Sequence, residues 1–161
     1  MPVLNASEIF FTAFEPQVSN RFYMEIQGIP AFIIKKAKFP SVTFGDIVLD
    51  HINVKRKLKG KADWQDVTLE LYNPIVPSGA QAVMEWVRLS HESVTGRDGY
   101  SDFYKKQISL KVLGPVGDVV SEWILKGAYV SSADFGEGDW ANDQPQNINL
   151  TIKMDYCILN Y

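Results

Sequence analysis

The chain has 161 residues, of which 46% are hydrophobic and 22% charged, so it is long enough for one globular domain with a substantial core. Its net charge of -3 argues against a dedicated nucleic-acid-binding protein. No apolar run approaches the ~20 residues of a membrane helix, and the pattern of a signal peptide is not visible. The single cysteine, Cys157, cannot form an internal disulfide, and we expect a buried, inert thiol in a chain made in a reducing cytosol.

The first 20 residues lack hydrophobic periodicity and are predicted to form an arm ahead of a β-barrel, which the strands described below are expected to form. This arm carries Ile9, Phe10, Phe11 and Phe14, a large apolar area for a segment without a core of its own. We therefore expect the arm to dock on its own barrel wall or on a neighbouring subunit.

Alternation of polar and apolar residues predicts strands at residues 21–27, 31–36, 42–49, 54–58 and 67–72. The turn at residues 28–30 is expected to return the first strand onto the second. The third and fourth strands form a long hairpin, which is expected to end at Gly60 and which places Lys55, Lys57 and Lys59 on one face. These charges are too dense for a buried face, so we expect the hairpin to extend beyond the core and contact neighbouring subunits.

One amphipathic helix is predicted at about residues 78–95. Ser78 and Gln81 have the spacing of an N-terminal capping box, and Gly96 is expected to end the helix. The apolar stripe, with His91 in line as an expected packing residue, consists of Ala80, Val83, Met84, Val87 and Val94.

Further strands are predicted at residues 106–113, 119–126, 129–135 and 147–156. A loop rich in turn residues joins the first two as a hairpin, and Gly127 is expected to bend the chain or form a bulge. The last strand alternates without a fault, which indicates one buried face and one wet face. The sequence therefore predicts a mainly β protein, an antiparallel β-barrel or sandwich with one packed helix, in a single domain (residues 1–161) whose barrel occupies residues 21–161.

The sequence contains no recognisable constellation of catalytic residues. His51 and His91 do not lie in a metal-binding spacing, and neither a phosphate loop nor a nucleophile elbow occurs. One acidic cluster has the right ligand type for calcium but lacks the spacing of a calcium loop: Asp134, Glu137, Asp139 and Asp143. We expect a solvated loop there, no metal, no cofactor and no enzymatic activity.

The sequence has one dense basic patch, which lies in and just after the predicted strand at residues 54–58. It consists of Lys55, Arg56, Lys57, Lys59 and Lys61. Three interpretations are open. Nucleic-acid contact is one, although no aromatic stacking residues are interleaved. A charged edge strand that discourages wrong pairing is the second. The third is a salt-bridged contact with an identical subunit, for which Asp134, Glu137 and Asp139 are the candidate partners.

Short stretches in a fixed order suggest a family. They are Asp63-Trp64 before a strand, Val83-Met84-Glu85-Trp86 in the helix, Tyr104-Lys105-Lys106, Lys126-Gly127 and Asp155-Tyr156. Together with the size and the order of elements over about residues 15–156, they resemble the tail tube protein family of contractile-tailed bacteriophages. The wider group includes the tube subunits of contractile injection systems and the type VI secretion tube.

This resemblance implies a structural protein. Six copies would form a ring whose sheets combine into one barrel around a channel, and rings would stack into a tube inside a contractile sheath. The implied partners are further copies of the chain, the sheath, baseplate and tail terminator proteins, and DNA or protein cargo that passes without specific binding. A net negative charge would keep DNA from sticking. The implied location is a virion tail or an injection particle assembled in the cytoplasm.

Two other classes of protein stay open. A monomeric β-barrel that binds a small ligand requires an apolar pocket and leaves the arm and the hairpin unexplained. An enzyme would have to use scattered residues. The subunit-interface hypothesis names four arm residues, three lysines and three carboxylates: Ile9, Phe10, Phe11, Phe14, Lys55, Lys57, Lys59, Asp134, Glu137 and Asp139.

Overall fold

The computed structural model describes residues 15–160. Within that range the chain forms strands, two helices and one 3-10 turn. Their bounds are β1 Phe22–Glu25, the 3-10 turn Ala31–Ile33, β2 Ile34–Ala37, β3 Val42–Asp50, β4 Lys55–Trp64, β5 Val67–Tyr72, α1 Gly79–Ser90, α2 Ser101–Tyr104, β6 Lys106–Leu113, β7 Val119–Asp134, β8 Asn147–Lys153 and β9 Tyr156–Asn160.

The strands form two antiparallel sheets of very different size. The main sheet has seven strands in the order β1-β6-β7-β8-β5-β2, with β9 also paired to β7. The strands β3 and β4 pair only with each other. The prediction of a mainly β, antiparallel fold with one main helix is confirmed.

The long strand β7 joins the two halves of the main sheet. Its first part pairs with β6 and β9, and its second part pairs with β8. Gly127 bends the strand between these parts with a positive φ of 66°. A Cβ at this position would overlap the Asp155 carboxylate, so the bend and the close approach both favour glycine.

The strands β8 and β9 are two parts of one return strand along β7. Lys126 pairs with Tyr156 and Tyr129 with Lys153, which is the same register on both sides of the break. The prediction of one unbroken strand over residues 147–156 is wrong at its end. The strand is interrupted at Met154 and Asp155, although the Asp155 backbone N–H still donates a 3.0 Å hydrogen bond to the carbonyl of Lys126. Both Asp155 carboxylate oxygens accept hydrogen bonds of 3.0 Å from Lys105 Nζ.

The core forms where the inward-facing residues of both sheet halves meet. Alternation in the sequence identified most of these side chains, which are Met24, Val67, Leu69, Leu71, Ile108, Leu110, Leu125, Ile148, Leu150 and Ile152. The helix α1 adds Val83 and Trp86 to this core, and Trp86 Nε1 donates a 2.8 Å hydrogen bond to the carbonyl of Tyr104. Trp86 lies outside the predicted apolar stripe.

The predicted hairpin between the first two strands is wrong. After a single bridge between Ile26 and Ile29, the chain enters the 3-10 turn, and β1 pairs with β6 while β2 pairs with β5. Pairing between distant strands is favoured over a local hairpin because it buries Met24 opposite Leu110.

The helix α1 begins as predicted and ends earlier than predicted. The Ser78 hydroxyl accepts from the Gln81 backbone N–H at its start. The helix ends at Ser90, and His91 lies outside it, exposed, with Nδ1 2.8 Å from Asp98. A bridge between His91 and Asp98 closes the following loop, so the predicted extension to residue 95 and the packing role of His91 are both wrong.

We predict that Leu110→Ala lowers the free energy of unfolding of the unassembled chain by about 2–5 kcal/mol, because it removes a side chain with no exposed area from the core. Urea denaturation followed by circular dichroism measures this change. The control is Val116→Ala in the turn between β6 and β7, where the side chain is 89% exposed. Equal effects of the two substitutions would contradict the assigned core.

Candidate assembly surfaces

The hairpin formed by β3 and β4, residues 42–64, projects from the main sheet. Every residue of β3 is exposed, and so is every residue of β4 except Gly60 and Trp64. At the base, the Gln65 backbone N–H donates a 2.9 Å hydrogen bond to the carbonyl of Ser41. The nine residues of β3 correspond to a length of about 30 Å.

A bulge near the base explains why the predicted end of the hairpin at Gly60 is wrong. The register shifts between Phe44 and Asp46, and β4 continues to Trp64. A Cβ on Gly60 would lie 2.7 Å from the Gly45 carbonyl oxygen, so the close approach of the two backbones favours glycine at position 60. In this hairpin, Gly60 therefore marks a bulge and not a strand end.

Beyond the bulge, the pairing divides the hairpin into two faces, because directly opposite residues lie on the same side of an antiparallel ladder. The lysine face contains the pairs Asp46 with Lys59, Val48 with Lys57, and Asp50 with Lys55. The apolar face contains the pairs Ile47 with Leu58, and Leu49 with Arg56.

The three lysines share one face, and two of them lie directly across from aspartates of their own hairpin. Lys57 instead lies across from Val48. Within residues 15–160, none of the three lysines approaches a carboxylate oxygen closely enough to form an ion pair. Lys59 Nζ lies 4.8 Å from the centroid of the exposed Phe44 ring, a cation–π contact.

The acidic loop, residues 135–146, connects β7 to β8. Its shape is held by side chains that accept from nearby backbone N–H groups: Asp134 from Gly136, Asp139 from Ala141, and Asn142 from Gln144, each at 3.0 Å. Asp134, Glu137 and Asp139 are all exposed to solvent. Trp140 projects from the turn that begins at Asp139 and is fully exposed.

The hairpin and the acidic loop leave the main sheet at opposite ends of β5 and β8. The hairpin precedes β5 at Val67, which pairs with Ile152, whereas the loop precedes β8 at Asn147, which pairs with Tyr72. The six residues of β5 separate these ends by about 20 Å. The structure therefore gathers the lysines on one element and the carboxylates on another, and it does not bring the two sets together within one chain.

Several strand edges lack a partner in the part of the chain that the structure describes. The strand β1 pairs only with β6, β2 only with β5, and β9 only with β7. The strand β9 also exposes Tyr156, Ile158 and Leu159. Unpaired backbone groups beside apolar side chains favour pairing with another chain.

Four further features were considered in the sequence: the arm, the cysteine, a metal site and membrane-spanning segments. The arm residues Ile9, Phe10, Phe11 and Phe14 lie outside the described residues. Cys157 is half-buried, and burial raises the pKa of its thiol to about 11. In the described range no group of three or more His, Cys, Asp or Glu side chains is arranged to hold a metal ion. None of the helices described there is long and apolar enough to cross a membrane.

No family model and no curated protein matches this sequence. Solved structures match it in fold. One is the tube-terminating cap of the anti-feeding prophage, with a TM-score of 0.75, 17% identity and coverage of 98% of this chain and 99% of that chain. A second is the sheath/tube terminator of the extracellular contractile injection system PVC in its extended state, with a TM-score of 0.74, 15% identity and coverage of 93% and 100%.

A third match is the PVC sheath-tube complex in the extended state, with a TM-score of 0.70, 16% identity and coverage of 90% of this chain and 91% of that chain. At such identities the likeness shows the fold. The chain therefore has the fold found in tube and terminator assemblies of contractile injection systems, and the resemblance drawn from its sequence is confirmed at that level.

We predict that replacing residues 46–56 by a short turn leaves the rest of the domain intact. The hairpin forms its own sheet, so the core packing does not depend on it. The melting temperature should change by less than about 2 °C, equivalent to about 0.5–1 kcal/mol for a domain of this size. A loss of cooperative unfolding would show that the hairpin is part of the core.

Proposed function

We propose that this chain is the structural subunit of the inner tube of a contractile tail or injection system, in which six copies form a ring and rings stack into a hollow tube. The observation that carries the proposal is the fold shared with the anti-feeding prophage cap over 98% of this chain. The projecting hairpin adds to it, because an isolated two-stranded hairpin is marginal in water and gains stability when another surface covers it.

Lateral association within a ring has support from the open strand edges. Within residues 15–160, the outer edges of β1, β2 and β9 present unpaired backbone groups, and those of β9 lie beside exposed apolar side chains. Pairing one edge of a copy with a different edge of the next is a head-to-tail interface, which closes into a ring when the rotation permits.

Stacking of rings has support from the charges on the projecting elements. We assign Lys55, Lys57 and Lys59 to contact with Asp134, Glu137 and Asp139 of a copy in the adjacent ring. Each exposed ion pair contributes only about 0.2–1 kcal/mol, and repetition around a ring multiplies that small term. Such contacts weaken with salt, because the Debye length is about 10 Å at 0.1 M ionic strength.

The same proposal specifies partners and location. The tube would contact a sheath, a baseplate and a terminator, and DNA or protein cargo would move through its channel without specific binding. The net charge of -3 suits a channel for DNA, since like charges repel. The chain would act without catalysis, in a virion tail or in an injection particle assembled in the cytoplasm.

A second candidate function is that of a terminator, which caps the tube with a single ring. Two of the matched structures are a tube-terminating cap and a sheath/tube terminator, and their chains are covered over 99% and 100% of their length. A monomeric ligand-binding barrel has less support, because apolar side chains fill the space between the sheet halves.

Size-exclusion chromatography and negative-stain microscopy of the purified chain test these functions. A tube subunit should give rings and tubes of indefinite length, at least at high protein concentration and low salt. A terminator should give single rings that do not elongate. A monomer at every concentration would overturn the proposed function and favour the ligand-binding alternative.

We also predict a role in assembly for the arm residues Ile9, Phe10, Phe11 and Phe14. Full burial of each such side chain is worth about 1.5–3 kcal/mol, so we propose that they dock on a neighbouring ring or on their own barrel. Removal of residues 1–14 should abolish long tubes without altering the melting temperature in the first case, and should lower the melting temperature of the monomer in the second. Normal tubes with unchanged stability would contradict both roles.

A further inference from the structure

Trp140 is a large aromatic side chain that is fully exposed to solvent. It lies at the tip of the acidic loop, in a turn that Asp139 holds by two hydrogen bonds to the following backbone. Its immediate surroundings are acidic, with Glu137, Asp139 and Asp143 in the same loop. Tryptophan is among the residues most enriched at the energetic centres of protein interfaces, and a preordered loop loses little entropy on binding.

We propose that Trp140 is the anchor of a head-to-tail contact, in which the acidic loop of one copy docks on the lysine face of the hairpin of the next copy. This inference rests on the proposed function and adds the residue at the centre of the stacking interface. The occupant of the lysine face is thus a second copy of this chain.

The positions of the two elements favour a contact between copies. The hairpin and the acidic loop leave opposite ends of β5 and β8, about 20 Å apart by the rise of β5, and no ion pair joins them within residues 15–160. A contact between two different surfaces of identical chains repeats without limit along a line when the rotation does not close it. Such a contact suits the long axis of a stack of rings.

The lysine face has the chemistry that the acidic loop needs. Val48 lies across from Lys57 and is exposed. Its side chain therefore offers a small apolar surface next to a lysine that has no acidic residue opposite it. Lys59 already engages an aromatic ring, that of Phe44, at 4.8 Å. Indole is the best side-chain acceptor for a cation–π contact, so Trp140 can pack on Val48 while the nearby carboxylates face the lysines.

The apolar face of the hairpin is a poorer match for the same loop. It presents Ile47, Leu49 and Leu58 with a single cation, Arg56. The lysine face offers three ammonium groups, with Asp46 and Asp50 across from two of them, whereas the apolar face offers only Arg56 to the four carboxylates of the loop region. Carboxylates that lose water without gaining a cationic partner are costly. The apolar face therefore suits an uncharged partner surface.

The first test compares Trp140→Ala with Tyr100→Ala, which removes another exposed aromatic ring at the start of α2. We expect Trp140→Ala to raise the critical concentration for tube formation by about tenfold or more, as for truncation of an interface anchor. Tyr100→Ala should leave it within about twofold, and both variants should keep the wild-type melting temperature. An unchanged critical concentration for Trp140→Ala would overturn the proposal.

The second test assigns the face by two charge reversals of equal size at adjacent positions. Lys57→Glu lies on the lysine face and Arg56→Glu on the apolar face. We expect Lys57→Glu to impair stacking more strongly, and a matched Asp139→Lys change to restore part of the loss. A stronger effect of Arg56→Glu would place the contact on the other face and overturn the proposal.

The third test detects the contact directly by cross-linking with a short bis-maleimide in a Cys157→Ser background. Ala141→Cys combined with Asp46→Cys should give a ladder of dimers, trimers and longer chains in assembled protein. The matched control, Ala141→Cys with Ile47→Cys, should give much less product because residue 47 lies on the apolar face. If the variants form intact tubes but cross-linking yields only monomers, this inference is overturned and the proposed function is not. If the unmodified chain does not assemble, both are overturned.

Discussion

The strand β7 and its return strand hold the domain together. Because β7 continues through the bend at Gly127, it pairs with β6 and β9 at one end and with β8 at the other. The two halves of the sheet are therefore joined by a covalent, hydrogen-bonded strand and not by packing alone. Their inward faces meet in one core, to which α1 adds Val83 and Trp86.

Two segments of the described chain lie outside that core. The hairpin of residues 42–64 places both of its faces in solvent, and the acidic loop presents Trp140 in the same way. In a monomer these features would be liabilities, since exposed apolar strands and open edges invite association. In a subunit of a larger assembly they are the contact surfaces, which is why the proposed function explains them better than a ligand-binding barrel does.

In the proposed stacking contact, the lysines of one hairpin would meet the carboxylates of the acidic loop of the next copy, and this pairing would set the relative orientation of the copies. Individual surface ion pairs are weak and are screened by salt, so charge alone would orient the copies without holding them firmly. In the proposed contact, an apolar anchor at the centre would supply the missing strength, because burial of an aromatic ring excludes water around the ion pairs. Under this proposal, orientation and strength would come from different side chains of the same loop.

The sequence by itself determined the strands that have one buried face, because their alternation is a local property of the chain. It also determined the helix start at Ser78, whose hydroxyl caps the backbone N–H of a residue three positions away.

The strand partners were decided only in the tertiary structure. The strand β1 pairs with β6 and β2 with β5, because register is chosen by burial between distant segments. The break at Asp155 depends likewise on a tertiary contact, with Lys105, whereas the early end of α1 accompanies a local contact of His91 with Asp98 that the apolar pattern does not reveal. The sequence placed Lys55, Lys57 and Lys59 on one face, since alternation fixes the face within a strand. Only the folded hairpin reveals that Asp50 and Asp46 oppose two of these lysines and that Val48 opposes the third. Only the structure shows that Trp140 is exposed at the other end of the sheet. Local periodicity determines neither the cross-strand register nor the conformation of a loop.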